Sequence, residues 1–331
     1  MPWIPNREIV MSDLLRVEGM SIGFQNGMDT CVQVTDSVSF SIAPGEVFAL
    51  VGESGCGKSV TAMGLLRLLP IPSAKILAGH AWFQGDDLLQ CSLARMVALR
   101  GSAVGVIFQE PTAALNPVQS IGAQLRECLK AFPSDARDLR IRELMVRAGF
   151  SDVDRILRSY PHELSGGMLQ RVVIVLALLR SPKLLIADEP TTALDVTVQA
   201  QVMQILREMC RELGTGLLLI THNLGLVAQY ADRVGVMYAG RMVEEARVVD
   251  LLHNPQHPYT QGLLRAVPEG HESVASLQPI AGNVPRPQEF VAGCRFANRC
   301  PRADGACEAK PTSTSVSESH WVCCVHWQEA R

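Results

Sequence analysis

A glycine-rich stretch of eight residues, GESGCGKS at positions 52–59, constrains this chain more than any other feature. The apolar run FALV precedes it and the helix-forming run SVTAMGLLRLL overlaps its end, so the stretch joins a predicted strand to a predicted helix. Its glycines let backbone N–H groups turn inward around phosphate oxygens, while Lys58 reaches the terminal phosphates and the Ser59 hydroxyl can hold Mg²⁺. The pattern predicts a phosphate-binding loop, and the alternative is a glycine-rich turn with a surface lysine. The predicted phosphate contacts are Gly52, Glu53, Ser54, Gly55, Cys56, Gly57, Lys58, Ser59 and Val60.

A second motif, LLIADEP at positions 184–190, supplies the acidic groups that such a site needs. Its apolar residues predict a buried strand, and Asp188 comes at the strand end, where it can hold Mg²⁺ directly or through water. Glu189 follows immediately and is placed to polarise an attacking water. In isolation two solvated acids at a strand end would be the default interpretation. Beside a phosphate loop, they indicate a nucleoside triphosphatase.

The remaining pattern predicts an α/β fold. After about residue 60, short apolar runs bounded by turn residues alternate with segments of helical periodicity. Such an alternation indicates a mostly parallel sheet covered on both faces. Residues 14–50 read as strands joined by turns, and residues 112–162 as a helical insertion. From about residue 255 the chain becomes rich in Pro, His, Gly and Cys, which marks the last boundary.

Charge and hydropathy exclude several classes of function. A net charge of −3 with interspersed signs gives no electrostatic footprint for nucleic acid or an anionic membrane. The first residues lack the charged and apolar parts of a signal peptide, and we expect 1–11 to be a loose extension, with Met11 as an alternative start. The longest apolar run, VVIVLALL at 172–179, is too short to span a bilayer, so we expect a soluble, cytoplasmic chain.

A third motif, LSGGMLQR at positions 164–171, narrows the class. Ser165 can cap the helix that begins there. The two glycines after it have no side chains to cover the N–H groups of the first helical turn, so this helix end can also bind an anion. The order along the chain matters more. The phosphate loop is followed by Gln109 in IFQEP, LSGGM, LLIADEP, Asp195 in ALD and His222 in LLLITH. That ordered set resembles the ATP-binding subunits of ABC transporters, and the resemblance covers about residues 12–250.

The resemblance implies a fold, a substrate and a set of catalytic roles. The fold would be an N-terminal antiparallel β subdomain, a RecA-like parallel-sheet core and the helical insertion, binding ATP with Mg²⁺. Gln109 would sense Mg²⁺ and the γ-phosphate, Glu189 would be the general base, and His222 would hold the γ-phosphate and the attacking water. Phe24 looks like the aromatic residue that stacks on adenine, although a lone Phe is about as often a core residue.

The same resemblance implies a sandwich of two subunits around two ATP. Ser165, Gly166, Gly167 and Met168 would contact the nucleotide of the opposite subunit, and Asp195 belongs to the loop that links the two sites. Two positions depart from the common pattern, Met168 where many relatives have Gln, and Asn223 where Asp is frequent. Neither departure removes a phosphate contact, so a competent hydrolytic site is expected.

The segment NPQHPYTQGLLRAVP at 254–268 resembles the C-terminal extension of importer ATPases in the oligopeptide, dipeptide and nickel group. This implies an ATPase domain at 12–254 and an extension at 255–331. It also implies a motor on the cytoplasmic face of the bacterial inner membrane, with a second ATPase subunit, two permease subunits and an extracytoplasmic substrate-binding protein. The helical insertion would receive the permease's cytoplasmic helices.

Peptide is the favoured cargo, with nickel and glutathione as alternatives. An export ATPase is disfavoured by the His-Pro-Tyr tail, and a GTPase by the lack of an Asn-Lys-x-Asp guanine reader. A soluble ABC ATPase acting on nucleic acid or ribosomes is the rival of another class. Such proteins typically carry a tandem second half or a long coiled-coil insertion, for which this chain has no room.

Cysteines concentrate near the end of the chain, at Cys294, Cys300, Cys307 and the adjacent pair Cys323 and Cys324. Four thiolates from one short segment can enclose Zn²⁺ or an iron–sulfur cluster. The resemblance favours Cys324 as the fourth ligand and a [4Fe–4S] cluster, with zinc or free cysteines as alternatives. We expect the role to be structural or redox-sensing and remote from the phosphates.

Overall fold

The computed structural model describes residues 13–26, 30–192, 194–266 and 280–330, so the predicted extension at 1–11 lies outside the described residues. The chain forms two compact units. The first unit comprises the chain up to Ile42, Phe48–Cys91 and the chain from Thr221 onward. The second unit comprises Ala43–Val47 and Ser92–Ile220.

The described chain contains twelve strands and ten α-helices. The strands are β1 Leu15–Asn26, β2 Thr30–Ile42, β3 Val47–Val51, β4 Ala74–Phe83, β5 Asp86–Asp87, β6 Val104–Ile107, β7 Leu184–Asp188, β8 Gly216–Ile220, β9 Arg233–Tyr238, β10 Arg241–Arg247, β11 Thr314–Ser317 and β12 His320–Val322. The helices are α1 Lys58–Leu65, α2 Leu93–Arg100, α3 Ile121–Cys128, α4 Ser134–Arg147, α5 Val153–Arg158, α6 Gly166–Leu178, α7 Val196–Leu213, α8 Leu224–Tyr230, α9 Val248–His253 and α10 Pro258–Arg265.

An antiparallel sheet with the order β2-β1-β4-β5 lies in the first unit. Leu15, Val17, Met20 and Ile22 of β1 are buried. The interval of three between Val17 and Met20 coincides with a register shift between β1 and β2, which restores the same face after the irregularity. The predicted N-terminal antiparallel subdomain is therefore confirmed.

The first unit also contains a mixed set of strands. β3 pairs in parallel with β9, and β10 continues antiparallel from β9 to β12 and then to β11. One hydrophobic cluster on these strands includes Val236 and Tyr238 of β9, Tyr259 of α10 and Phe296. Tyr259 and Phe296 are each in ring contact with Tyr238, at centroid distances of 4.6 and 5.1 Å. The residues from 255 onward, here called the C-terminal segment, thus contribute Tyr259 and Phe296 to the core of this unit.

The second unit is built on three parallel strands, β6, β7 and β8. All residues of β7 and β8 are buried, which explains why both strands are apolar except for Asp188 at the end of β7. Helices α3, α4 and α5 occupy most of the predicted helical insertion. The parallel strands and alternating helices confirm the predicted α/β class. Within the described ranges, no helix combines the length and apolar character required to cross a membrane.

Candidate functional site

The glycine-rich loop connects β3 to α1, as the sequence predicts. Gly57 is the N-cap of α1 and has φ 105°, in the left-handed region that favours glycine. Gly52 approaches β9 so closely that a Cβ there would lie 2.1 Å from the Met237 carbonyl oxygen. The first glycine of the motif is therefore needed for close packing of the backbone, and Gly57 for the turn into the helix.

Lys58 is buried and is held by the loop that precedes it. Its Nζ donates to the carbonyl oxygens of Gly52 at 2.7 Å and Glu53 at 3.1 Å. The neighbouring Cys56 is also buried, and burial raises the pKa of its thiol, so it acts as a small apolar side chain. Ser59 is exposed in the first turn of α1. An ammonium group fixed at the loop and an exposed hydroxyl at the helix start fit the predicted binding of phosphate and Mg²⁺.

The predicted acidic groups lie at the end of β7 in the second unit. Asp188 is buried, and Glu189 has φ 48°, a left-handed conformation that is uncommon for a residue other than glycine. Glu189 Oε2 accepts a hydrogen bond from Thr192 Oγ1 at 2.8 Å and lies 3.5 Å from Gln109 Nε2. The structure therefore brings Gln109 and Glu189 together, and Thr192 orients the carboxylate. Backbone strain of this kind concentrates at functional sites.

The LSGGM motif starts α6 in the second unit. The Ser165 side chain is the N-cap and accepts from the Met168 N–H at 3.4 Å, as predicted for this position. A Cβ on Gly167 would lie 2.6 Å from Val198 Cγ1, so a glycine is required where α6 approaches α7. Asp195 caps α7 by accepting from the Val198 N–H at 3.0 Å. These residues thus have local structural roles in addition to the nucleotide contacts that the sequence predicts.

The other predicted nucleotide contacts belong to the first unit. His222 is exposed between β8 and α8, and Phe24 is half-buried on β1. Asn223, where Asp is frequent, caps α8 by accepting from the N–H groups of Gly225 at 2.9 Å and Leu226 at 3.2 Å. Asparagine and aspartate are both good caps, so this departure preserves the helix start.

Four of the C-terminal cysteines border one small cavity in the first unit. They are the predicted ligands Cys294, Cys300, Cys307 and Cys324. His257, Phe296 and His326 also line the cavity. Cys323 does not border the cavity, and its N–H donates to the Val243 carbonyl oxygen at 2.8 Å. Burial raises the pKa of the Cys324 thiol to about 11. A bound metal ion would favour the thiolate.

The cysteine segment also contacts the phosphate loop, so the prediction that it lies remote from the phosphate site is wrong. Arg299 forms a two-pronged ion pair with Glu53, with Nη1 2.6 Å from Oε2 and Nη2 3.0 Å from Oε1. The Tyr259 hydroxyl accepts from the Glu53 N–H at 2.8 Å. Sequence reasoning missed this ion pair between Arg299 and Glu53. The available signal was Glu53 itself, because an acid in a phosphate-binding loop calls for a neutralising partner.

The fold and the sequence motifs of this chain are those of a nucleoside triphosphatase of the phosphate-loop class. Residues 35–192 match the family described as ABC transporter, and residues 243–307 match the family described as oligopeptide/dipeptide transporter, C-terminal region. The chain belongs to the ABC transporter family, as an ATP-binding protein with the oligopeptide-type C-terminal region. The family predicted from the sequence motifs is thereby confirmed.

Individual relatives cover nearly the whole chain. It is 44% identical to the oligopeptide transport ATP-binding protein AppD of Bacillus subtilis, over 96% of this chain and 98% of that protein. It is 45% identical to the dipeptide transport ATP-binding protein DppD of the same organism, over 95% of each. Among solved structures, cbiO1 from Clostridium perfringens, part of the ABC transporter complex cbiONQ, matches with a TM-score of 0.64 and 28% identity, covering 73% of this chain and 91% of that one.

Proposed function

We propose that this chain is the ATP-hydrolysing subunit of an ABC importer that takes up dipeptides or oligopeptides. The observation that carries the proposal is the similarity, over nearly the whole chain, to two ATP-binding proteins named for oligopeptide and dipeptide transport. The C-terminal match at 243–307 supports the same assignment. We assign residues 12–254 to the ATPase domain and 255–331 to the extension.

We propose a separate role in ATP hydrolysis for each residue of the nucleotide site. Lys58 binds the terminal phosphates, and Ser59 and Asp188 hold Mg²⁺, which prefers the hydroxyl and carboxylate oxygens that these side chains offer. Mg²⁺, when bound, neutralises charge on the phosphates. Glu189 accepts a proton from the attacking water, and Gln109, whose amide lies beside that carboxylate, senses the metal and the γ-phosphate.

The remaining predicted contacts belong to the same proposal. His222 holds the γ-phosphate and the attacking water, and Phe24 stacks on adenine. Ser165, together with Gly166, Gly167 and Met168, meets the nucleotide of a second ATPase subunit, and Asp195 links the two sites. The exposed N-terminus of α6 supports this role, because Ser165 and Gly166 are exposed and the helix end carries unsatisfied N–H groups.

The proposed assembly contains a second ATPase subunit, two permease subunits and an extracytoplasmic binding protein. The chain would lie against the cytoplasmic face of the bacterial inner membrane, with the helical insertion meeting the permease. Exposed apolar side chains on and beside that insertion, Val118, Phe132, Leu139 and Val146, support it as a docking region. Import of nickel or glutathione by the same motor is the alternative.

Uptake measurements separate the candidate cargoes. The test uses proteoliposomes that contain this chain, the permease subunits, the second ATPase and the binding protein encoded with it. ATP is supplied on the side of the membrane where the ATPase subunits lie. We expect binding protein loaded with a dipeptide to stimulate ATP hydrolysis and peptide uptake, while Ni²⁺ or glutathione leaves both at the basal level. Stimulation by RNA, DNA or ribosomes without a permease would instead support the soluble ATPase alternative.

Hydrolysis is expected to depend on pairing, because the signature helix completes a partner's site. Purified chain that stays monomeric should release phosphate slowly. Activity per chain should rise on adding the second ATPase subunit, or with concentration if two copies pair. Phosphate release measured across a concentration series, with light scattering on the same samples, checks this. Full activity in a strictly monomeric preparation would contradict the two-subunit site.

We also propose that the cysteine cavity holds a [4Fe–4S] cluster. Sulfur ligands around a single Zn²⁺ lie about 3.8 Å apart, as Zn–S bonds of about 2.3 Å in tetrahedral geometry require. Among the described residues, no three of the cavity's cysteine sulfur atoms lie within 4.8 Å of one another. Wider spacing fits a cluster better, since each cysteine then binds a different iron. The trio Asp304, Cys307 and His326, whose ligand atoms do lie within 4.8 Å, is the mononuclear alternative.

The cluster proposal predicts a loss of colour that distinguishes the two adjacent cysteines. Protein purified without oxygen should be brown and contain about four irons and four acid-labile sulfides per chain. Cys324→Ser should lose the colour because it removes a ligand, and the matched control Cys323→Ser should keep it. Absorption spectra with iron and sulfide analysis provide the measurement. Colourless protein with one zinc would overturn the cluster, and zinc lost in His326→Ala would assign the ion to the mononuclear trio.

A further inference from the structure

Glu53 is the residue at which the C-terminal segment meets the phosphate loop. Its N–H donates to the Tyr259 hydroxyl, its carboxylate pairs with Arg299, and its carbonyl oxygen accepts from Lys58. The backbone and the side chain of one loop residue are therefore both held from outside the loop. Two of these three partners come from the region that matches the oligopeptide-type C-terminal family.

Arg299 is itself firmly positioned. Its side chain is only 5% exposed, and besides Glu53 it donates to the carbonyl oxygens of Ile280 at 3.3 Å, Ala281 at 2.8 Å and Gly282 at 3.2 Å. Its guanidinium also lies 5.8 Å from the Tyr238 ring centroid. Because so many donors are engaged, the guanidinium cannot swing away from Glu53 without losing several hydrogen bonds.

The negative charge of Glu53 explains how its ion pair with Arg299 would favour the binding of phosphate by the loop. A carboxylate in a loop that receives the phosphates of ATP repels them, and water screens the repulsion less at the half-buried Glu53 than at a fully exposed acid. The guanidinium of Arg299 cancels that charge with two parallel hydrogen bonds, a geometry that lysine could not reproduce. Tyr259 meanwhile fixes the Glu53 peptide, whose carbonyl oxygen helps hold the Lys58 ammonium.

We propose that Arg299 and Tyr259 are positioning residues through which the C-terminal segment sets the affinity of the phosphate loop for nucleotide. The proposal rests on the proposed binding of ATP by this loop. Arg299, which contacts the phosphate loop, directly precedes Cys300, which borders the cysteine cavity. Two adjacent residues of the C-terminal segment therefore contact the loop and the cavity. The C-terminal segment thereby acts on the motor itself.

The charge part of the proposal is tested with a double-mutant comparison in the full-length chain. Arg299→Met should weaken binding of MgATP by about tenfold, because Glu53 is left unpaired beside the phosphates. Glu53→Gln combined with Arg299→Met should return the dissociation constant to within about threefold of the unchanged chain, because the repelling charge is gone. Arg265→Met, at an exposed arginine of α10, is the matched control and should bind normally.

Tyr259→Phe tests the second contact. Removing the hydroxyl leaves the Glu53 N–H without its acceptor, and a net hydrogen-bond loss of this kind should weaken MgATP binding about threefold to tenfold. Dissociation constants for MgATP and MgADP, from equilibrium titration with a fluorescent analogue, are the readout. Unfolding temperature and iron content are recorded for each variant, so that a loss of fold or of metal is recognised.

Each outcome decides the proposal. Normal affinity in Arg299→Met, or a loss that Glu53→Gln does not rescue, overturns the role of Arg299, and normal affinity in Tyr259→Phe overturns that of Tyr259. A chain without substitutions that fails to bind MgATP would instead contradict the proposed function. Affinity that recovers in the double variant while the unfolding temperature stays at that of Arg299→Met supports the proposal, and affinity that recovers only together with the unfolding temperature assigns the loss to the fold and overturns it.

Discussion

Replacing Glu189 with glutamine should lower the rate of ATP hydrolysis by about 10²- to 10⁴-fold, the range expected for loss of a positioned general base. Glutamine keeps the shape of the side chain but cannot accept a proton from water. The carboxylate is oriented by Thr192 Oγ1 at 2.8 Å, and its backbone is held at φ 48° at the end of β7. Because the phosphate loop is unchanged, ATP binding should persist. Phosphate release and nucleotide binding measured on the same preparation check both parts.

Two comparison variants make the result specific. Glu110→Gln changes an exposed acid of the same type in the same unit, directly after Gln109, and should leave turnover unchanged. Lys58→Ala should instead weaken nucleotide binding, because it removes the ammonium held at the loop. The variant Glu189→Gln should also trap the ATP-bound pair of subunits. Turnover within a few-fold of the unchanged chain would exclude Glu189 as the base.

Local signals in the sequence were sufficient to predict much of this molecule. The phosphate loop, the start of α6 at Gly166 and the apolar run of β7 before Asp188 each depend on residues within a few positions of one another. A glycine at a tight turn, a serine at a helix start and a run of buried apolar residues are determined by backbone sterics and solvent exclusion alone. The α/β class and the antiparallel N-terminal sheet follow from the same patterns.

Contacts between distant residues could not be predicted in this way. Glu53 and Arg299 are 246 positions apart, and although an acid in the loop calls for a cationic partner, no local pattern identifies Arg299 as that partner. The expectation that the cysteine segment is remote from the phosphate site failed for this reason. Likewise, the His-Pro-Tyr motif was recognised as a family feature, but its physical role depends on Glu244 of β10, an acid within a strand that carries no local signal.

Glu244 connects three parts of the first unit around one buried carboxylate. It is fully buried, and Oε1 accepts from the Gln256 N–H at 2.7 Å while Oε2 accepts from the His257 N–H at 2.9 Å. His320 Nε2 of β12 lies 2.7 Å from the same Oε1. Burial lowers the pKa of His257 to about 4, so its ring is neutral and Nδ1 accepts from the Tyr259 N–H at 3.0 Å. The carboxylate therefore fixes the segment that presents Tyr259 to the phosphate loop.

We expect Glu244→Ala to lower the free energy of unfolding by about 3–5 kcal/mol, because it leaves two backbone N–H groups and an imidazole buried without an acceptor. Urea unfolding followed by the fluorescence of Trp321, which pairs with Glu245 across β10 and β12, reports on this region once Trp3, Trp82 and Trp327 are replaced by Phe.

Two further variants separate the hydrogen bonds of Glu244 from a general effect of losing an acid. Glu318→Ala removes an exposed acid between β11 and β12 and should leave the unfolding midpoint unchanged. Glu244→Gln should fall between Ala and the unchanged chain, since one oxygen still accepts while the new NH₂ group faces a donor. A Glu244→Ala chain as stable as the Glu318→Ala control would mean that water replaces the carboxylate in this cluster. If the destabilisation is observed, MgATP affinity should fall with it, because Tyr259 loses the support that holds its hydroxyl against Glu53.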